Sequence, residues 1–128
     1  MTNVLHSNDA PVLPDLQGHT VAFVDTDTAC DAMIQALNTA GFPNTTIQVL
    51  RGEDGLHLLE LIAQASSWGE SAEDIQKQGT IELHAGHSMV FVEVKNAREG
   101  DTVATLCTPH GAHGMYHFGS LVDTRLTA

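Results

Sequence analysis

Two stretches of the chain are apolar on both faces: residues 19–25 (HTVAFVD) and residues 88–94 (SMVFVEV). A strand with no polar face is buried from both sides, so it belongs in the centre of its sheet. A third stretch, residues 46–50 (TIQVL), alternates Ile47 and Val49 with Thr46 and Gln48. That alternation predicts a half-exposed edge strand. Residues 114–118 (GMYHF) are short and bounded by glycine, and they predict a second edge.

Between these strands the period changes to that of a helix. Residues 28–40 place Cys30, Met33, Ile34 and Leu37 on one stripe, with Thr28 and Asp31 as a capping pair and Gly41 as the stop. Residues 54–66 carry Leu56, Leu59, Ile62 and Ala63 on one face, and Trp68-Gly69 breaks the run. A further helix starts at Ser71, with Asp74 completing a capping box, and ends at Gly86. Gly79 inside it costs about 1 kcal/mol relative to alanine. The last helix opens at Asn96 and Glu99, carries Val103, Leu106 and Cys107, and stops at Pro109 and Gly111.

The predicted order is β-α-β-(αα)-β-α-β. Two interleaved β-α-β halves make an α+β, ferredoxin-like fold with an antiparallel sheet of order 4-1-3-2. That order needs the first and third strands in the centre and the second and fourth at the edges, as the patterns have them. In this reading the two central strands run parallel and both edges run against them. Residues 1–18 hold no sustained period and are expected as a flexible N-terminal arm; residues 19–128 form one ferredoxin-like domain. Residues 120–126 add a short strand or pack as a tail. The crossover helices cover one face of the sheet, and the apolar central strands need a cover on the other. A second subunit packed sheet to sheet is the expected cover, which makes the protein a homodimer. The helix around residues 56–63 is the alternative within the chain.

Composition narrows the partners. A chain of 128 residues is one domain in size. With 16 acidic and 5 basic residues its formal charge is −11. Nucleic acid needs a Lys/Arg surface that is absent, and an anionic membrane is disfavoured for the same reason. No leader-like segment opens the chain and no apolar run approaches a membrane span, so a cytoplasmic location is expected. Cys30 and Cys107 lie on helical stripes without Cys-x-x-Cys spacing and read as buried reduced thiols.

The candidate chemistry lies in the histidines, of which there are eight. His84-x-x-His87 and His110-x-x-His113-x-x-x-His117 have spacings that metal sites use, although ordinary surface and turn histidines are the bland alternative. With the central strands read as parallel, the turns before the third and fourth strands fall at opposite ends of the sheet, roughly 20 Å apart. His110, His113 and His117 then remain as a metal set, or the pairs meet across a dimer. The cofactor would be a transition metal or haem. Nothing singles out a catalytic residue. Ser88 and Ser120 lack a nucleophile elbow, and no phosphate-binding glycine loop is present. Cys107, three residues before His110, reads as a core thiol beside a capping imidazole.

Residues 20–50, Gly52-Glu53-Asp54-Gly55, residues 83–94 (LHAGHSMVFVEV) and residues 110–119 (HGAHGMYHFG) carry a resemblance. In order and spacing they resemble a family of small bacterial proteins, the heat-induced or general-stress-protein domain. Its pattern is an Ala-Gly-His helix end before a strand, then a Gly-Ala-His turn leading to an aromatic-Gly strand end. The family commonly has Tyr where Gly79 stands and a basic residue where His84 stands, so this chain departs from it along the third helix. The resemblance implies a cytoplasmic, non-enzymatic protein with a stress or regulatory association. It also marks the turns at Gly86, His87, Gly111 and His113 as functional.

Three readings follow. The first is a non-enzymatic binding or regulatory module acting as a homodimer, with a small-molecule or protein partner. The second is a histidine-based metal- or haem-binding protein. The third is a small enzyme of the dimeric α+β barrel type, with His117 or Tyr116 inside a pocket between sheet and helix.

Overall fold

A computed structural model describes residues 3–4, 18–65, 70–118 and 123–125. Its strands are β1 (Asn3–Val4), β2 (His19–Val24), β3 (Ile47–Leu50), β4 (Ser88–Glu93), β5 (His113–Phe118) and β6 (Asp123–Arg125). Its helices are α1 (Asp27–Thr39), α2 (Gly52–Ala65), α3 (Glu70–His84) and α4 (Ala97–Cys107). They form one six-stranded sheet of order β1-β3-β4-β2-β5-β6. The four strands expected from sequence make its antiparallel centre, in the order 2-3-1-4 from one edge and so 4-1-3-2 from the other.

Three expectations change. The two central strands, β2 and β4, run antiparallel, with Val24 opposite Ser88 and His19 opposite Glu93. Each crossover joins parallel strands with one strand inserted between them, so direction alternates across the sheet. Next, β3 and β5 are not edges. Asn3–Val4 adds a parallel strand beyond β3, and Asp123–Arg125 adds an antiparallel one beyond β5. The segment expected as a flexible arm therefore begins in a strand, while residues 5–17 lie outside the described ones. Finally, the second sheet face is covered by the chain itself.

That cover follows from pleat parity. Ala22, Val24, Ile47, Val49, Val90, Val92 and Met115 face α1 and α4, where they meet Cys30, Met33, Leu37, Val103 and Cys107. Val21, Phe23, Leu50, Met89, Phe91 and Phe118 face the other way, onto Leu58, Leu59, Ile75 and Leu83 of α2 and α3. Each fully buried Leu or Phe contributes about 1.5–3 kcal/mol relative to exposure. The face that called for a second subunit is thus already dry, and the ground for a sheet-to-sheet dimer falls away. Among the described residues, side chains fill the space where a barrel-type enzyme would place its cavity. Gly79 shows how close the cover sits: a Cβ at that position would stand 2.9 Å from Leu59 Cδ2 and 3.0 Å from Met89 Sδ. The glycine that weakens α3 as an isolated helix lets it lie against α2 and β4.

Local signals fix the element ends. The N-cap of α1 is Thr26, two residues before the expected Thr28, and its hydroxyl accepts from Ala29 N at 3.1 Å. Asn96 caps α4 by accepting from Glu99 N at 2.9 Å. Among the described residues no helix is long and apolar enough to cross a membrane.

Candidate metal centre

One end of the sheet collects the C-terminal ends of β2 and β3 and the N-terminal ends of β4 and β5, because the strands alternate in direction. His87, just before β4, and His113, the first residue of β5, therefore lie at the same end. Their ring centroids are 6.2 Å apart and nearly perpendicular, at 88°. The expected separation of roughly 20 Å rested on parallel central strands, and it is corrected with them.

His87 is delivered by the end of α3. Gly86 takes a left-handed φ of 86°, its N–H donates to Leu83 O at 3.1 Å, and the His87 N–H donates to Glu82 O at 2.9 Å. These two bonds are a Schellman motif, which turns the chain sharply after the helix. The turn brings the His87 ring over the Glu82 side chain, with Nδ1 2.8 Å from Oε1. His113 arrives by a different device. Gly111 ends a short 3-10 turn (Thr108–His110) with φ 83°, and Gly114 follows at φ 58°. Its Nε2 lies 2.8 Å from the same Glu82 Oε1, and its Nδ1 lies 3.2 Å from Gly111 O. Asp25, the residue after β2, places Oδ1 3.5 Å from His87 Nδ1 and 3.6 Å from His113 Nδ1.

Asp25, Glu82, His87 and His113 thus each offer a ligand atom, all within 4.8 Å of one another. The Glu82 side chain is 14% exposed and Asp25 is 62% exposed, so the group is anchored inside and open outside. Burial alone would lower the His113 pKa. The Glu82 hydrogen bond, the Gly111 carbonyl and the charges of Glu82 and Asp25 outweigh it and raise the imidazole above its ordinary 6.5. The protonated ring has an N–H for each of its two acceptors. When neutral, with its proton held by Gly111 O, it would present a lone pair at Nε2. A metal at Nε2 would therefore compete with the proton for that nitrogen.

The set His110, His113 and His117 does not come together. Positions 113 and 117 would share a face on a regular strand. Yet Tyr116 stands opposite Val21 and His113 opposite Phe23, so β5 has one residue more than β2 in that interval. This bulge sends His113 to the α3 side, while His117 goes under α4. There His117 is buried against Gly100, with Nδ1 3.3 Å from Thr20 Oγ1. His110 closes the 3-10 turn and His84 is exposed at the end of α3; neither joins the group. Of the turn residues marked by the resemblance, His87 and His113 supply donors, and Gly86 and Gly111 supply the left-handed backbone. The two carboxylates were not anticipated. Only their chain positions could have pointed to them: Asp25 follows a central strand, and Glu82 sits five residues before His87.

On the α1 side of the same end, the Arg51 Nε donates to Ser88 Oγ at 3.0 Å, and its guanidinium lies 3.4 Å from Asp27 and 3.5 Å from Asp31. Cys30 packs beneath it. Burial raises that thiol's pKa against the opposing pull of Arg51, and burial pushes Cys107 up to about 12, with Cys30 adding to the effect. Both thiols stay protonated at neutral pH, so neither is a nucleophile or a metal ligand as it stands. The far end of the sheet opens into a cleft of about 580 Å³ between Phe42, Pro43 and Val94, with Glu93 and Lys95 among its lining residues. No family model, curated protein or solved structure matches the chain.

Proposed function

We propose that this protein is a metal-responsive binding module, taking one divalent first-row transition metal at Asp25, Glu82, His87 and His113. The observation that carries the reading is the convergence of two imidazoles on a single, nearly buried carboxylate oxygen, with a second carboxylate within reach. Two nitrogens and two oxygens suit zinc, manganese, iron or nickel better than the all-oxygen sites of calcium and magnesium. They suit haem poorly, because haem takes one or two axial side chains. The metal would supply a fixed positive charge and, through the open side, a position for an outside ligand.

The resemblance to stress-associated proteins favours a regulatory role over a catalytic one. Isothermal titration with zinc, on protein freed of any His tag, is expected to give one site per chain. His87→Ala and His113→Ala should each weaken it by at least about tenfold, a loss of 1.4 kcal/mol or more. His84→Ala, His110→Ala and His117→Ala should leave it unchanged. Absence of zinc binding, or equal loss in the second group of variants, would overturn the reading.

A further inference from the structure

Three of the four donors belong to the end of the sheet: Asp25 follows β2, His87 precedes β4, and His113 opens β5. Glu82 alone comes from α3, one half of the helical pair that covers the second sheet face. We infer that the metal acts as a clamp: bound between Glu82 and the three sheet-end donors, it fixes the C-terminal half of α3 onto β4 and β5. The inference rests on the metal-binding reading above and adds what binding does to the fold.

Three observations lead to it. First, Glu82 sits in the last turn of α3, where the helix dipole is negative and a carboxylate is disfavoured. A cation at Oε1 removes that penalty, so the charge defect of α3 and the metal requirement are answered by one ion. Second, the contacts of this half of the helix converge on the donor end of the sheet. Leu83 enters the core, Gly79 allows close approach to Leu59 and Met89, Gln78 packs beside Gly114, and Glu82 makes both imidazole contacts. Third, the residues beneath the helix are large and apolar, with Phe23, Met89 and Phe91 fully buried. Loosening α3 therefore changes how much apolar surface meets water, which is a readable signal for a partner. A binding module can report metal in this way, by the population of its closed cover.

Hydrogen exchange of the full chain, with and without zinc, tests the clamp. Amides of residues 74–84 are expected to slow by about tenfold or more with zinc, while those of α1 and α4 change little. Glu82→Gln keeps the three sheet-end donors. It should still bind zinc in the calorimeter, more weakly, but without the added protection of residues 74–84. Two outcomes would overturn the clamp and leave the metal site standing: zinc bound by the wild type with no change in α3 exchange, or protection in Glu82→Gln equal to wild type. Failure of the wild type to bind zinc at all would remove both inferences together.

Discussion

His113 and His117 stand four residues apart on one strand and lead different lives. His113 is partly exposed and faces two carboxylates, and its pKa is raised above the ordinary 6.5 by Glu82 and the Gly111 carbonyl against the effect of burial. His117 is buried, meets the Thr20 hydroxyl, and lies against Gly100 of α4. The residue type is the same and so is the strand. What differs is the one extra residue between them, which reverses the side of the sheet that His113 faces. A histidine's chemistry here is decided by backbone register before any neighbour acts on it. One histidine faces a cluster of carboxylates at the sheet end, and the other fills the core.

The most damaging way to test that contrast is to attack the bulge. Gly114 has φ 58°, and a Cβ there would run into the Gln78 side chain and stand 3.0 Å from Phe23 Cδ2. A left-handed alanine costs about 1–2 kcal/mol, and the crowding adds about 1–3 kcal/mol. Gly114→Ala is therefore expected to destabilise the fold by about 3 kcal/mol, read as a lower urea midpoint. Gly111 also has a positive φ, at 83°, but open space around it, so Gly111→Ala should cost only about 1 kcal/mol. Equal losses in the two variants would mean that backbone strain, and not the packing of α3 on the bulge, sets the cost.

A milder test acts on the His117 side alone. Thr20 is fully buried, and Thr20→Val keeps its shape while removing the hydroxyl beside His117. Leaving a buried polar partner unmatched costs about 1–3 kcal/mol. Thr20→Val should lower stability by about 2 kcal/mol in chelator-treated protein and leave zinc affinity unchanged. The reverse pattern, unchanged stability with weakened zinc binding, would show that the two faces of β5 are not independent.

The same contrast shows what could be read from the chain and what could not. The elements were legible because their signals are local: the stripe Cys30, Met33, Ile34 and Leu37 is buried as expected, and Asn96 caps α4. The inner strand order was legible because burial on both faces singles out central strands. The site was not, for two physical reasons. Strand direction is a property of crossovers and not of residue patterns, and reading β2 and β4 as parallel placed His87 and His113 far apart. The bulge at Gly114 is the second reason. Spacing alone puts His113 and His117 on one face, and only the register to β2 shows the inserted residue. Asp25 and Glu82 carried no motif at all; their role comes from the Schellman turn and from the end of β2. The cover of the second face was expected from a second subunit for a similar reason, since a helical pair and a second subunit present the same apolar demand.

The smallest expected effect concerns the proton on His113. Its folded pKa is raised above the ordinary 6.5 because the interactions with Glu82, Gly111 and Asp25 outweigh burial. The folded state then binds a proton more tightly than the unfolded state. The stabilisation this gives is fully present below pH 6.5 and is lost as pH rises through the folded pKa. The window for this effect therefore opens below pH 6.5 and closes once pH passes the raised folded pKa of His113. Urea unfolding of the wild type and of His113→Gln in the presence of a chelator should differ most at the acid end and converge towards the alkaline end. The same window should show zinc binding strengthening as pH rises, because the metal displaces the proton that stabilises the metal-free form. A stability difference that grows with pH would mean that Glu82 holds a neutral ring. In that case the partly exposed histidine would resemble its buried neighbour more closely than the geometry suggests.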